Sequence, residues 1–371
     1  MTLEAFFNRI EAQYHQELPF VVYRKPNKTV VKGLLQQSND LFFTSEFTEQ
    51  GFVFSPFDDK EDTVLIPFES SESISFPFVM FSGVETSQHE FRSDLNAKNH
   101  HIHLVENGVE AIENNTFKKV VLSRMERVKL SEGNPITIFK RLLHKYASAF
   151  VYCWYHPKVG LWLGATPETL VKIEGNRFSI MALAGTQVYD GTLDVEWQDK
   201  EIQEQQFVTD FIVDSLKPSA QSIKVSETNT VKAGGLLHLK TMISAQLKSD
   251  SNLKEVILAI HPTPAVCGLP KQPAKYFILE QENYNREFYT GFLGELNLES
   301  ITAPRSGRRN VENRAYAINR KSTQLYVNLR CMQLKNTDAI IYVGGGVTIS
   351  SDAENEWEET VAKSLVIKSV L

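Results

Sequence analysis

The chain has 371 residues, 42% of them hydrophobic and 23% charged, and a net charge of −6. That length allows two domains or one large one, with ample chain for a sizeable core. The acidic balance argues against nucleic acid as the main partner, and it leaves room for a small anionic substrate, because the charge of a site is local.

Three cysteines, Cys153, Cys267 and Cys331, stand far apart with no CxxC. This excludes a disulfide framework and a zinc ribbon and fits a reduced compartment. The opening MTLEAFFNRIEAQYHQEL reads as an amphipathic helix and lacks the basic start and apolar centre of a signal peptide. No apolar run approaches the roughly 18 residues of a spanning helix. A cytoplasmic protein is expected.

After that helix, residues 1–90 are aromatic-rich and strand-like: PFVVYRK, DLFFTSEF, GFVFSPF, DTVLIPF and SISFPFVMF, separated by Asn, Asp, Gly, Pro and Ser. Residues 94–114 read as a helix, with Ile102, Val105, Val109 and Ile112 at helical spacing. KKVVLSRMERVKL (118–130) is a β-branched strand, and 135–147 is helical. AFVYCWYH, GLWLGATPETLVKIEG and RFSIMALAGTQ follow as three strands, the last two joined by the hairpin signal Glu174-Gly175-Asn176. Residues 197–216 form an acid- and Gln-rich helix and 233–247 a second, short one. Helices at 251–263 and 270–281 flank a loop. EFYTGFLGELNL, QLYVNLRCMQL and AIIYVGGGV return to strand. A final helix is expected after a cap at Ser350, Ser351 or Asp352.

This order indicates an α+β protein with helices against large antiparallel sheets. Residues 1–90 are taken as the strand-rich part of the same compact domain as 91–371. The segment 299–322, with Arg305, Arg308, Arg309, Arg314, Arg320 and Lys321, reads as a basic loop between two strands, its alternative being a lid or contact surface.

Several stretches combine polar groups with tight backbone. In IYVGGGVTISSDAENEWEETVAK, a glycine-rich turn permits close backbone approach. On the following helix Glu356, Glu359 and Lys363 share one face. Two carboxylates and an ammonium there suit a hard metal ion together with an anionic substrate; a capped surface helix with solvated acids is the bland alternative. Glu201 and Glu204 share a helix face in DKEIQEQQFV. Lys119 starts an apolar strand, and a buried lysine can act as a base. Glu168 ends a Gly-Ala-Thr-Pro corner, where a desolvated carboxyl can act as a general acid. HPTPAVCGLPK (261–271) is rigid, irregular backbone of the kind that shapes pockets.

In chain order, KVVLSR, GATPE, LAGT, KExxEQ, HPTPAVCGLP, R-x-x-Y-x-G-x-x-G, the Arg330 strand and GGGVTISSDAENEWEETxxK resemble the chorismate-utilising enzymes. That family includes isochorismate synthase, salicylate synthase and the first components of anthranilate and aminodeoxychorismate synthases. The resemblance runs from about residue 95 to the end. It implies large antiparallel sheets packed as a sandwich with helices outside. Lys119, where ammonia-using relatives have glutamine, favours water as nucleophile. Ala184 stands where aminodeoxychorismate synthases have a nucleophilic lysine. Ala265 stands where salicylate and anthranilate enzymes have threonine. Together these favour the isochorismate synthases, with salicylate synthases next.

The resemblance further implies Mg²⁺ held by Glu204 and Glu359, with Glu356 and Glu201 close by. Tyr289 and Arg330 would bind the enolpyruvyl carboxylate. Lys363 and backbone N–H groups at Gly185, Thr186, Gly344, Gly345 and Gly346 would meet substrate carboxylates, and His238 would lie near the ring. Lys119 as base requires a depressed amine pKa, and Glu168 as acid a raised carboxyl pKa. Gln205 replaces a family histidine and Gln187 a common arginine. No glutamine amidotransferase subunit and a monomeric state are expected. A pathway to menaquinone, a siderophore or salicylate is not distinguished. A non-catalytic chorismate-binding protein is the reading from another class; the intact Lys119, Glu168, Glu204, Glu359 and Arg330 oppose it.

Overall fold

In a computed structural model, residues 2–78, 95–130, 133–233, 235–302 and 318–371 are described. Among them the strands form two antiparallel sheets of nine and ten strands. The first runs, edge to edge, through Gly268–Leu269, Lys119–Lys129, Asp338–Val347, Cys331–Lys335, Gly160–Thr166, Phe150–His156, Phe20–Arg24, Val30–Gln36 and Ser71–Pro77. The second runs through Ala220–Val225, Leu236–Leu247, Arg177–Val188, Thr169–Glu174, Ile318–Val327, Phe292–Thr302, Gly51–Ser55, Thr63–Pro67 and Phe42–Thr44, with Asn229–Ala233 also paired to Leu236–Leu247. Strands from the aromatic-rich N-terminal stretch thus enter both sheets.

Period-2 alternation buries both faces of the central strands. Along Phe20–Arg24, Val21 and Tyr23 join an aromatic layer with Phe52, Phe54, Tyr152, Trp154 and Trp162 between the sheets. Phe20 and Val22 point the other way, toward Phe6 and Ile10 of the Leu3–His15 helix and Phe139 of the Pro135–Lys145 helix. The outer face of the second sheet is covered by the Asp199–Leu216 and Leu253–Ile260 helices through Val208, Ile212, Val256 and Ile260. Leu104 and Val105 of the Leu95–Glu113 helix pack with Ala274 and Ile278 of the Lys271–Gln281 helix over Val120, Leu122 and Val347.

Two crossings between the sheets position the site. The expected strand 160–175 is broken: Gly160–Thr166 lies in the first sheet and Thr169–Glu174 in the second, because Pro167 cannot donate to a ladder. QLYVNLRCMQL breaks likewise, Ile318–Val327 lying in the second sheet and Cys331–Lys335 in the first. The two corners are bonded to each other. Val327 N donates to Glu168 O and Ala165 N to Arg330 O, each at 3.1 Å, and the Thr166 hydroxyl donates to Val327 O at 2.6 Å. Arg330 takes a left-handed conformation, φ 48°, uncommon for a side chain of this size.

Other expectations also need correction. Residues 233–247 are not a helix: Leu236–Leu247 is a strand, since Leu237, Leu239, Thr241, Ile243 and Ala245 alternate into the core. Val30–Gln36 is a strand that the sequence reading passed over. Gly344, Gly345 and Gly346 lie within the extended strand Asp338–Val347, not in a turn. The strand expected from residue 287 begins at Phe292. The last residues of SISFPFVMF and the middle of the basic segment 299–322, with Arg305, Arg308, Arg309 and Arg314, lie outside the described residues.

Candidate active site

A cavity opens where the two corners, the three-glycine strand and the Asp199–Leu216 and Ala353–Lys368 helices meet. Glu168, Gly185, Thr186, Glu204, His238, Ala265, Tyr289, Arg330, Gly344, Gly345, Gly346 and Lys363 all line it. Lys119, Glu201, Glu356 and Glu359 stand behind this lining. Each is tied to it: Lys119 through Glu204, Glu201 against Gly185, and Glu356 and Glu359 against Gly345.

Glu168 projects from the first corner and is only 3% exposed. Burial pushes its carboxyl up to about 8, against the opposing pull of Lys119 and Arg330. It therefore carries its proton at neutral pH and can give it up, as a general acid requires.

Lys119 is completely buried, and its ammonium donates to Glu204 Oε1 at 2.7 Å. Burial alone would raise the Glu204 carboxyl, but the charges of Lys119, Lys363 and Lys200 hold it below the ordinary range. The other Glu204 oxygen accepts from Gly185 N at 3.2 Å. That N–H is thus engaged by the protein itself. Gly185 has φ +70°, at a register shift between Ala184 and Gln187, and a Cβ there would come within 3.1 Å of Glu201 Cβ. Gln205 anchors this helix face, donating to Ala182 O at 3.2 Å and to Thr241 Oγ1 at 3.0 Å.

On the opposite wall Arg330 bonds Ala233 O at 2.9 Å and meets His238 Nε2 at 2.8 Å. Loss of solvent draws its guanidinium down to about 10, so it stays charged at neutral pH. Tyr289 is buried, its ring parallel to Tyr342 at 5.5 Å between centroids.

Asp352 caps the Ala353–Lys368 helix by accepting from Asn355 N at 2.9 Å. The helix turns Glu356, Glu359 and Lys363 toward the glycines, and Lys363 bonds both Gly344 O at 2.9 Å and Glu359 Oε1 at 2.6 Å. A Cβ on Gly345 would come within 3.0 Å of Glu356 Oε2, and one on Gly346 would clash with Glu204 Oε1. Gly345 and Gly346 leave room for carboxylates that lie directly on the strand, and Gly344 for Leu122 O and Ser123 of the neighbouring strand.

The donor set fits a hard, oxygen-seeking cation. Four glutamates approach this wall, and buried oxygens of two of them, Glu201 Oε2 and Glu356 Oε2, have no hydrogen-bond partner. The Ser351 hydroxyl eases the charge on Glu356 without closing a bond of good geometry. Among the described residues no three acid, imidazole or thiolate groups converge tightly enough to enclose an ion as they stand. Glu204, Glu356 and Glu359 face Lys119, Lys200 and Lys363 instead. Lys200 was missed in the sequence, although it stands four residues before Glu204 on one helix face.

Comparison with known proteins agrees with this geometry. A family model described as chorismate binding enzyme matches residues 80–310, and a second of the same description matches 315–369. The isochorismate synthase MenF of Pasteurella multocida is 28% identical over 280 residues, covering 72% of this chain and 60% of its own length. The isochorismate synthase DhbC of Bacillus subtilis is 28% identical over 279 residues, covering 70% and 64%. The chain therefore spans less than two thirds of either relative. The solved structure of DhbC from Bacillus anthracis superposes with a TM-score of 0.75 at 21% identity, covering 97% of this chain and 98% of that one, a likeness of fold. Among the described residues no helix is long and apolar enough to cross a membrane.

Proposed function

The chain belongs to the chorismate binding enzyme family, and from that premise we propose that it converts chorismate to isochorismate. The observation that carries this reading is Glu168: a buried carboxyl that keeps its proton at neutral pH, set in the same cavity wall system as the buried Lys119–Glu204 pair. Relatives that bear the name isochorismate synthase support it.

Water adds at C2 of the ring, the double bonds shift, and the C4 hydroxyl leaves. Lys119, once it has lost its ammonium proton and let go of Glu204, takes the proton of the incoming water as a neutral amine. Glu168 gives its proton to the departing hydroxyl, so that water is lost as water is gained. Arg330 and Tyr289 bind the enolpyruvyl carboxylate, the guanidinium fork matching a planar anion. His238 holds Arg330 in place, and Lys363 adds positive charge beside the glycine strand. Glu204 and Glu359, with Glu356 and Glu201 beside them, are the residues that would hold Mg²⁺. When bound, the ion would neutralise and fix the ring carboxylate.

Purified protein incubated with chorismate and Mg²⁺, with and without EDTA and with and without ammonium, and resolved by chromatography, tests this. Isochorismate that vanishes with EDTA is expected. Salicylate with pyruvate would reassign the chain to the lyases, an ammonium-dependent amino product would overturn the role of Lys119, and no product would revive a binding role without catalysis.

A further inference from the structure

Glu356 is only 2% exposed. One of its oxygens accepts from Lys200 Nζ at 2.6 Å, and the other has no hydrogen-bond partner. Lys200 projects from the first turn of the Asp199–Leu216 helix with its side chain 27% exposed, so a path to solvent is open to it. Its ammonium also lies in the field of Glu359 and Glu204. The other two cations are held more firmly. Lys119 has no exposed surface, and Lys363 is fastened to the main chain at Gly344 as well as to Glu359.

Charge balance then singles out Lys200. Four carboxylates face three ammonium groups here, so a divalent cation overshoots neutrality, and the departure of one ammonium restores it. A cation on Glu356 would sit against the same carboxylate that Lys200 now holds, since the orphaned oxygen is its other oxygen.

Resting on the metal reading above, we propose that Lys200 is a displaceable counter-ion. In the metal-free protein it holds Glu356 in its buried place. A hard divalent cation entering among Glu204, Glu356 and Glu359 exchanges with it, and its side chain turns out to solvent. Lys200 is thus a positioning residue that keeps the site shaped for an ion not yet bound.

The full-length protein, stripped with EDTA, would be titrated with Mn²⁺ followed by electron paramagnetic resonance. In parallel its lysines would be acetylated and the rate at each read by mass spectrometry. The expected result is that saturating Mn²⁺ speeds modification of Lys200 several-fold relative to exposed Lys28. An unchanged or slower rate, with Mn²⁺ bound, overturns the exchange and leaves the metal site standing. Failure of the wild-type protein to bind Mn²⁺ overturns both. Lys200→Met is expected to raise Mn²⁺ affinity about tenfold by removing the competitor; weaker binding would mean that Lys200 supports the bound ion and would also overturn the exchange. The labelling measurement needs no variant and stands even where Lys200→Met folds poorly.

Discussion

The Arg330 guanidinium donates to His238 Nε2 at 2.8 Å. Arginine can only donate, so this nitrogen accepts, and the single imidazole proton sits on Nδ1, where Gly185 O receives it at 2.8 Å. Burial and the neighbouring Arg330 charge draw the imidazole down to about 3. The histidine therefore works as a neutral spacer linking Arg330 to the Gly185 bulge. His238→Phe is expected to raise KM for chorismate more than it lowers kcat, because it loosens Arg330 and leaves the acid untouched. It should lower stability by roughly 1–3 kcal/mol through the unmade hydrogen bonds. Steady-state kinetics and urea melts measure both, and an unchanged KM would remove His238 from the anion site.

Glu168 governs the alkaline side. Its folded pKa of about 8 lies above the usual 4.5, so the folded state binds a proton that the unfolded chain has lost. Stability should fall as pH rises between these values, by at most about 1.4 kcal/mol per pH unit, and level off above the upper one. Activity should fall through the same upper value as the acid is lost. Glu168→Gln should flatten the stability slope and cut turnover by about 10²–10⁴-fold. A variant with near-normal turnover would show that another group protonates the leaving hydroxyl.

Lys119→Met tests the other half of the chemistry. Turnover should fall by about 10²–10⁴-fold. Its burial adds a second effect: Glu204, with a side chain 16% exposed, loses its counter-ion, and stability should drop by roughly 1–3 kcal/mol. Added Mg²⁺ should restore much of that stability by taking over the carboxylate. Thermal melts with and without Mg²⁺ read this directly, and equal melts would argue against Glu204 as a ligand.

Gly346→Ala places a methyl where Glu204 Oε1 now lies. The carboxylate must move, so divalent-ion affinity should fall about tenfold or more, with the fold retained, as calorimetric titration would show. Unaltered affinity would mean that Glu204 binds no ion.

The motifs marked the residues that gather at the cavity more plainly than the order of the strands. Glu168, Glu204 and Lys363 sat in short, ordered motifs, and all three reach one cavity. The breaks at Pro167 and at Asn328–Arg330 were harder to read, since apolar runs on both sides look continuous and only the partner sheet changes. Leu236–Leu247 was mistaken for helix because its leucines also satisfy helical spacing; pairing with two neighbouring strands decides its form. Lys200 escaped notice because its meaning lies in Glu356, 156 positions away in the chain.

The hydrogen bonds between the two sheet crossings fix more than local backbone. Glu168 on one corner and Arg330 on the other, the proposed proton donor and carboxylate anchor, ride on a shared main-chain frame. Leu183 and Ala265 line the same cavity without taking part in the bonds that join the two corners. The distance from Glu168 to Arg330 is therefore set by main chain drawn from both sheets rather than by the side chains that line the cavity.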